Sequence, residues 1–187
     1  AIGNSAGQTT QGTSAVSVGN QAGLTSQGAS AVAVGQGAGS GTQGLNAVAV
    51  GRSAGGTSQG DYSIAVGIYS GQVSQGINSV AVGASAGNSL QGAGSTSVGV
   101  YAGQTSQGAN SAAFGLNAGS TTQGSYAIAV GNGAGQTTQG DYGVSVGNLA
   151  GNNVQGHYSV AMGSSAGQTT QGAEAVAVGK SAGTTSQ

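Results

Sequence analysis

The sequence predicts an all-β chain that folds as a parallel β-solenoid (β-roll) of 16-residue coils. One observation is that a Gln-Gly pair recurs every sixteen residues from Gln11 to Gln171. Another is that each unit alternates Ala or Ser with Val, with the period of two that is typical of a β-strand. Self-similarity at a fixed period indicates a solenoid, in which stacked units bury what one unit cannot bury alone.

The repeat unit has sixteen places, which we number from the residue after each Gln-Gly pair. It reads x, polar or Tyr, Ala/Ser, Val, Ala/Ser, Val, Gly, x, x, Ala, Gly, x, Thr, Ser/Thr, Gln, Gly. Glycine at places seven, eleven and sixteen disfavours a helix, at about 1 kcal/mol each, and predicts the corners of a coil. Residues 1–187 therefore form a single array of about twelve coils, truncated at both ends, which we expect to be a fragment of a longer protein.

Places four and six lie on one strand face, so stacking the coils about 4.8 Å apart creates two parallel apolar ladders. Place four holds Val16, Val32, Val48, Ile64, Val80, Thr96, Ala112, Ile128, Val144, Val160 and Val176. Place six holds Val18, Val34, Val50, Val66, Val82, Val98, Phe114, Val130, Val146, Met162 and Val178. We expect these ladders to be the core, so that a charge at Val82 prevents folding. The invariant Gln at place fifteen is expected to form an amide ladder from coil to coil.

The composition excludes several classes of partner. Charged residues make up 3% of the chain and the formal net charge is −1, so we expect no nucleic-acid partner. No run of about 18 apolar residues occurs, so we expect no membrane insertion by this segment. The chain has no Cys and only three carboxylate side chains, so we expect no metal and no cofactor.

The stretches NSVAVGASAG, NAVAVGRSAG and YAIAVGNGAG resemble the head repeats of trimeric autotransporter adhesins. They are also similar to repeats in surface and fibre proteins of phages and large viruses, and the likeness covers the whole chain. The resemblance implies three β-rolls side by side, displayed on a cell or virion surface for attachment. It also implies that the Val ladders form the packed strand, and that Ala and Gly at places ten and eleven form a second strand.

A homotrimer is expected from the residues as well. One coil of mostly small residues encloses little, and Ala or Ser at places three and five would give a smooth face that neighbouring chains can approach. We therefore expect a structural or adhesive surface fibre segment, a rigid rod that displays or spaces an attachment function. Its expected location is extracellular, on a cell surface or a virion surface, and a host-surface receptor or glycan is the expected external partner.

Ice binding is the alternative function, because Thr recurs at place thirteen. The column comprises Thr9, Thr25, Thr57, Thr105, Thr121, Thr137, Thr169 and Thr185. It is interrupted at Gly41, Val73, Ser89 and Asn153, which counts against a continuous ice-binding lattice.

Place one brings together the residue types of a hydrolase triad, with Ser125, Asp141 and His157 in consecutive coils. In a triad the His lies between the nucleophile and the carboxylate. Here Asp141 is in the middle, and stacking sets Ser125 about 9.6 Å from His157. We therefore expect no enzymatic activity.

The one stretch whose surface chemistry departs from the repeat is predicted to be the ligand-binding site. The alternative is a structural role, in which the tyrosine rings only cover neighbouring backbone and another domain performs attachment. Tyr126, Tyr142 and Tyr158 occupy place two of consecutive coils, beside Asp141 and His157. Coil stacking predicts a strip of three rings about 10 Å long, with a carboxylate and an imidazole alongside. Such a strip is expected to stack on a sugar face and to bond its hydroxyls, because exposed Tyr is favoured at interfaces.

Overall fold

The computed structural model describes residues 1–186, and these form a parallel β-solenoid with about sixteen residues per turn and no helix. Within this range the coils build two parallel sheets of eleven strands each. The predicted fold class is thereby confirmed. Gln187, the last glutamine of the predicted column, lies outside the described residues.

Sheet 1 is formed by places four to six of each coil. Its strands are β2 (Val16–Val18), β4 (Val32–Val34), β6 (Val48–Val50), β8 (Ile64–Val66), β10 (Val80–Val82), β12 (Thr96–Val98), β14 (Ala112–Phe114), β16 (Ile128–Val130), β18 (Val144–Val146), β20 (Val160–Met162) and β22 (Val176–Val178). Each strand pairs with the next coil at an offset of sixteen residues, as in Val82 with Val98.

Sheet 2 is formed by the end of each unit. Its strands are β1 (Thr10–Gln11), β3 (Ser26–Gln27), β5 (Thr42–Gln43), β7 (Ser58–Gln59), β9 (Val73–Gln75), β11 (Ser89–Gln91), β13 (Ser106–Gln107), β15 (Thr122–Gln123), β17 (Thr138–Gln139), β19 (Val154–Gln155) and β21 (Thr170–Gln171). The second strand implied by the resemblance is therefore wrong. Places ten and eleven, such as Ala86 and Gly87, lie in a turn, because Gly87 has a left-handed φ of 50°.

The side chains of sheet 1 point the opposite way to the prediction. Ala65, Ala81 and Ala113 at place five are fully buried, and so is Ala at place ten in the inner coils, such as Ala86. The side chains at places four and six lie outside the coil, where Phe114 is 40% and Ile128 41% exposed. We call this outer surface the valine face: the side chains at places four and six of every coil. The prediction that these ladders are the core is wrong.

The reason for the inversion is the small cross-section of a sixteen-residue coil. A Cβ added at Gly87 would lie 2.6 Å from the Oε1 of Gln91, so the interior has no room for larger groups. Two expectations that depended on the valine ladders being the core are also wrong. Val82 faces outward, so a charge there is not placed in the interior. Places three and five are buried, as at Ser79 and Ala81, so they cannot be the smooth face for neighbouring chains.

The glutamines at place fifteen brace the interior instead of forming a ladder. Gln139 is 1% exposed, and its Nε2 donates to the carbonyl oxygens of Ile128 at 2.7 Å and Gly143 at 3.0 Å. The same pattern links place fifteen to places four and three in other coils. One hydrogen bond between side-chain amides does run from coil to coil: Gln107 Nε2 donates to Gln123 Oε1 at 3.2 Å. The predicted amide ladder is therefore wrong as the general rule, although the glutamines are structural.

Apart from that of Gln123, which accepts from Gln107, the buried Oε1 atoms of these glutamines fall into two groups, according to the residue at place five. Where that residue is Ser, its hydroxyl donates to the amide oxygen, as Ser145 does to Gln155 at 2.6 Å. Six buried Oε1 atoms have no hydrogen-bond partner within the described residues: those of Gln43, Gln59, Gln75, Gln91, Gln139 and Gln171. Each of these coils has Ala at place five, so the missing hydroxyl explains the unsatisfied acceptor.

Glycine at place seven forms the predicted corner after sheet 1. Gly83 has a φ of 129°, a conformation that L side chains rarely adopt. A Cβ at this residue would also lie 2.6 Å from the carbonyl oxygen of Gly99 in the next coil. The corner therefore requires glycine for both its backbone conformation and the close approach of the next coil.

Candidate functional site

The predicted tyrosine strip lies at the corner that leads from sheet 2 into sheet 1. Tyr126, Tyr142 and Tyr158 all have φ between 57° and 59°. Residues at place two of other coils, such as Ser30 and Asn46, have the same left-handed φ, so the conformation belongs to the corner and not to tyrosine. Coil-to-coil backbone bonds hold it, as in the 3.0 Å bond from the Tyr142 amide to the Ser125 carbonyl.

The three rings form the continuous stack that the repeat spacing predicts. The ring centroids of Tyr126 and Tyr142 are 5.0 Å apart, and those of Tyr142 and Tyr158 are 4.9 Å apart. The rings are nearly parallel, with interplanar angles of 4° and 5°. All three side chains remain exposed, from 46% for Tyr142 to 61% for Tyr158.

This stacking limits how a ligand can contact the strip. Both faces of Tyr142 are covered by its neighbours, so a sugar ring cannot lie flat on it. The ring edges and the column of phenol hydroxyls remain for contact, and a hydroxyl can both donate and accept a hydrogen bond. The strip is therefore better suited to hydrogen bonding of ligand hydroxyls than to the face stacking expected from the sequence.

Asp141 and His157 lie in the adjacent column at place one, where both cap backbone amides. Asp141 Oδ1 accepts a 2.8 Å bond from the amide of Ser125, and Asp61 makes the same bond to Leu45. His157 Nδ1 accepts a 3.1 Å bond from the amide of Asp141. Since the cap recurs at Asp61, where no stacked tyrosines occur, it stabilises the corner independently of any ligand.

The side chains of His157 and Asp141 also approach each other. Nδ1 of His157 lies 3.7 Å from Asp141 Oδ2, and the same Nδ1 accepts from the Asp141 amide. Both side chains are about half exposed or more, so they are free to meet a ligand beside the tyrosines.

The column of Ser125, Asp141 and His157 keeps the order set by the repeat. Asp141 contacts both neighbours, through the Ser125 amide and through His157 Nδ1. The imidazole is thus not between the hydroxyl and the carboxylate, as a triad requires.

Other chemical features of the described surface are sparse. Arg52 lies over the ring of Tyr69, with its guanidinium carbon 4.8 Å from the centroid. In residues 1–186 no pocket opens, and no three His, Cys, Asp or Glu side chains cluster as metal ligands. The same residues contain no helix long and apolar enough to cross a membrane.

The outer surface of sheet 2 carries more hydroxyl groups than the sequence pattern suggested. Thr121 and Thr122, at places thirteen and fourteen, are both exposed, and so are Thr137 and Thr138 in the next coil. The chain bends at place thirteen, so two adjacent residues face outward where strict strand alternation would allow one.

Comparison with protein-family models, curated proteins and solved structures finds no match for this chain.

The surface that the sequence analysis missed is the valine face, which was assigned to the core. A signal for it exists in the sequence. Places three, five and ten hold only Ala, Ser or Gly, whereas places four and six accept Val, Ile, Thr, Ala, Phe and Met. Uniformly small residues indicate a tight interior, and variation in size indicates the outside.

Proposed function

We propose that this chain is a structural segment of a surface fibre, a rigid rod that spaces or displays an attachment function. The proposed location is extracellular, on a cell or virion surface. The observation that supports it is the unbroken pairing of eleven coils in both sheets over the described residues. At about 4.8 Å per coil, these make a rod roughly 55 Å long. A filled interior, and the absence of pockets from the surface of residues 1–186, suit a spacer better than an enzyme.

Immunogold electron microscopy of intact cells or particles that carry the protein tests this proposal. We expect the label at a constant distance outside the surface, shortened by about 10 Å when residues 29–60 are deleted, since that removes two whole coils. Label confined to the interior of the cell or particle would contradict the proposal.

The rod is proposed to work as a homotrimer, as the resemblance to trimeric adhesin heads implies. Closed rotational symmetry is the usual form of such assemblies. The surfaces that meet in it cannot be places three and five, which are buried.

The proposed recognition element is the strip of Tyr126, Tyr142 and Tyr158 with Asp141 and His157, and the proposed ligand is a host-surface glycan. Support comes from three exposed phenol groups at a 4.9–5.0 Å spacing beside a carboxylate and an imidazole. A triple Tyr→Phe variant keeps the stack and removes the hydroxyls, so we expect it to lose glycan-array binding. A triple Tyr→Ser variant that folds and binds like the parent would rule out the strip as the recognition element.

Ice binding is a second candidate function, favoured by the paired exposed threonines of sheet 2. Thermal hysteresis is the measurement that decides it. A protein that uses this surface loses its hysteresis when Thr122 and Thr138 are replaced by Lys, whereas Val50→Lys on the opposite sheet leaves it unchanged. A parent chain without hysteresis contradicts this function and leaves the fibre proposal unaffected.

A further inference from the structure

We propose that the valine face is the surface through which copies of this chain assemble. This inference deepens the proposed fibre function by naming its assembly surface. It starts from the eleven described strands of sheet 1, each of which points two side chains outward. Twenty of these twenty-two side chains are Val, Ile, Phe or Met, the exceptions being Thr96 and Ala112.

The size of the face is the first argument. If each outward side chain exposes on the order of 40 Å², the face exposes on the order of 900 Å² of mostly apolar surface. Soluble monomers rarely expose contiguous apolar patches above a few hundred Å², and larger patches mark interaction sites. Burying most of this area on two copies removes on the order of 1,500 Å² from water, which is the size of a stable protein interface.

The absence of charge on the face is the second argument. All five charged residues of the chain lie elsewhere: Arg52 and Lys180 at place eight, Asp61 and Asp141 at place one, and Glu174 at place two. An interface core is depleted of charged residues while its rim stays polar. The valine face carries no charge in any coil, and apolar residues at place eight extend its border at Ile68, Val100 and Leu116.

The spacing of the side chains indicates which partner covers the valine face. The valine face repeats once per coil, about every 4.8 Å along the rod. A partner stays in register along eleven strands only when its own surface has the same repeat. Another copy of this chain has that repeat, and a sheet-to-sheet distance of about 10 Å allows the Val side chains to interdigitate. In the proposed trimer, three such faces meet along a common axis.

Sedimentation of the purified chain with charge variants tests the inference. We expect the parent to sediment at about three times its mass of 17.2 kDa. The triple variant Val50→Lys, Val98→Lys and Val146→Lys is expected to weaken association at least tenfold. The matched control carries Thr42→Lys, Thr122→Lys and Thr138→Lys on the outer surface of sheet 2, and it is expected to assemble like the parent.

A cysteine crosslink keeps the inference testable if the lysine variant fails to fold. The chain has no native cysteine, and Val98 lies on the sixth of the eleven strands, so copies in either orientation bring two Val98 positions together. Val98→Cys is expected to give disulfide-linked pairs on oxidation, and Thr122→Cys is not. A folded parent that stays monomeric at about 100 µM, or a Val98→Cys chain that never crosslinks, overturns the inference. If the parent has the mass of a dimer and Val98→Cys still crosslinks, the inference about the valine face holds. Only the trimer in the proposed function is then contradicted.

Discussion

The inner and outer faces of sheet 1 differ in side-chain size more than in polarity. On one strand, Ala81 is fully buried and Val82 points outward, and in the next coil Ser97 is buried and Val98 points outward. The more polar residue type thus lies inside and the more apolar one outside. In a coil of sixteen residues, steric fit decides which face is internal, because an interior filled by backbone, Ala Cβ atoms and one amide has no space for a branched side chain.

The largest expected effect comes from a charge on the inner side. Gln139→Glu replaces a donor to two carbonyl oxygens with an unpaired buried carboxylate, so we expect a loss of about 3–5 kcal/mol in unfolding free energy at neutral pH. Burial raises the pKa of the new carboxyl above its unfolded value of about 4.3, so stability is lost as pH rises above that value and returns as pH falls to it. Urea unfolding between about pH 4 and 8 measures this.

The control for this substitution is Gln36→Glu, at an exposed place eight. It is expected to change stability by less than about 0.5 kcal/mol and to show no added pH dependence. Equal effects of the two variants would mean that place fifteen is not enclosed.

Side-chain volume on the two faces gives the next largest effect. Ala81→Leu forces three extra carbons into the filled interior, and we expect a loss of about 3 kcal/mol or failure to fold. Val82→Leu, the adjacent residue on the outer side, is expected to cost less than about 1.5 kcal/mol, because a conservative apolar change outside the coil is tolerated even where copies pack together. Thermal unfolding followed by circular dichroism compares the two, and the reverse ranking would restore the valine ladders as the core.

The smallest expected effect concerns the inner hydroxyls. Ser145→Ala leaves the Oε1 of Gln155 without its donor and is expected to cost about 1 kcal/mol. Ala129→Ser offers the missing donor to Gln139 Oε1 and is expected to stabilise by a similar amount. Ser164→Ala at an exposed place is the control, with no change expected. Urea midpoints that shift the same way in both inner variants would contradict this explanation of the unsatisfied oxygens.

Much of the architecture follows from the sequence because each coil repeats the previous one, shifted along the rod, so equivalent residues become neighbours. The sixteen-residue offset, the strand at places four to six, the glycine corner at Gly83 and the stack of Tyr126, Tyr142 and Tyr158 all follow from residues sixteen apart being neighbours. The direction of the strand faces does not follow, because alternation defines two faces without saying which is internal. Hydrophobicity favoured Val, whereas the restriction of places three, five and ten to small residues was the better indicator.

For the tyrosine strip, too, the sequence predicts where the residues lie but not which contacts their side chains make. The column and its neighbours Asp141 and His157 could be predicted from the repeat alone. The use of both faces of Tyr142 in stacking could not, nor could the capping of backbone amides by both polar side chains. Both depend on side-chain rotamers at a corner where place two has a left-handed φ, and the repeat spacing does not determine those rotamers.

The direction of the backbone hydrogen bonds has a mechanical consequence. They join each coil to the next, so they run along the rod, as from the amide of Gly99 to the carbonyl of Val82. Tension applied between the chain ends therefore peels coils away one at a time, instead of shearing many strands at once. Each released coil replaces about 4.8 Å of rod with roughly 55 Å of extended chain. A rod of this kind lengthens in steps under load and absorbs work before it breaks.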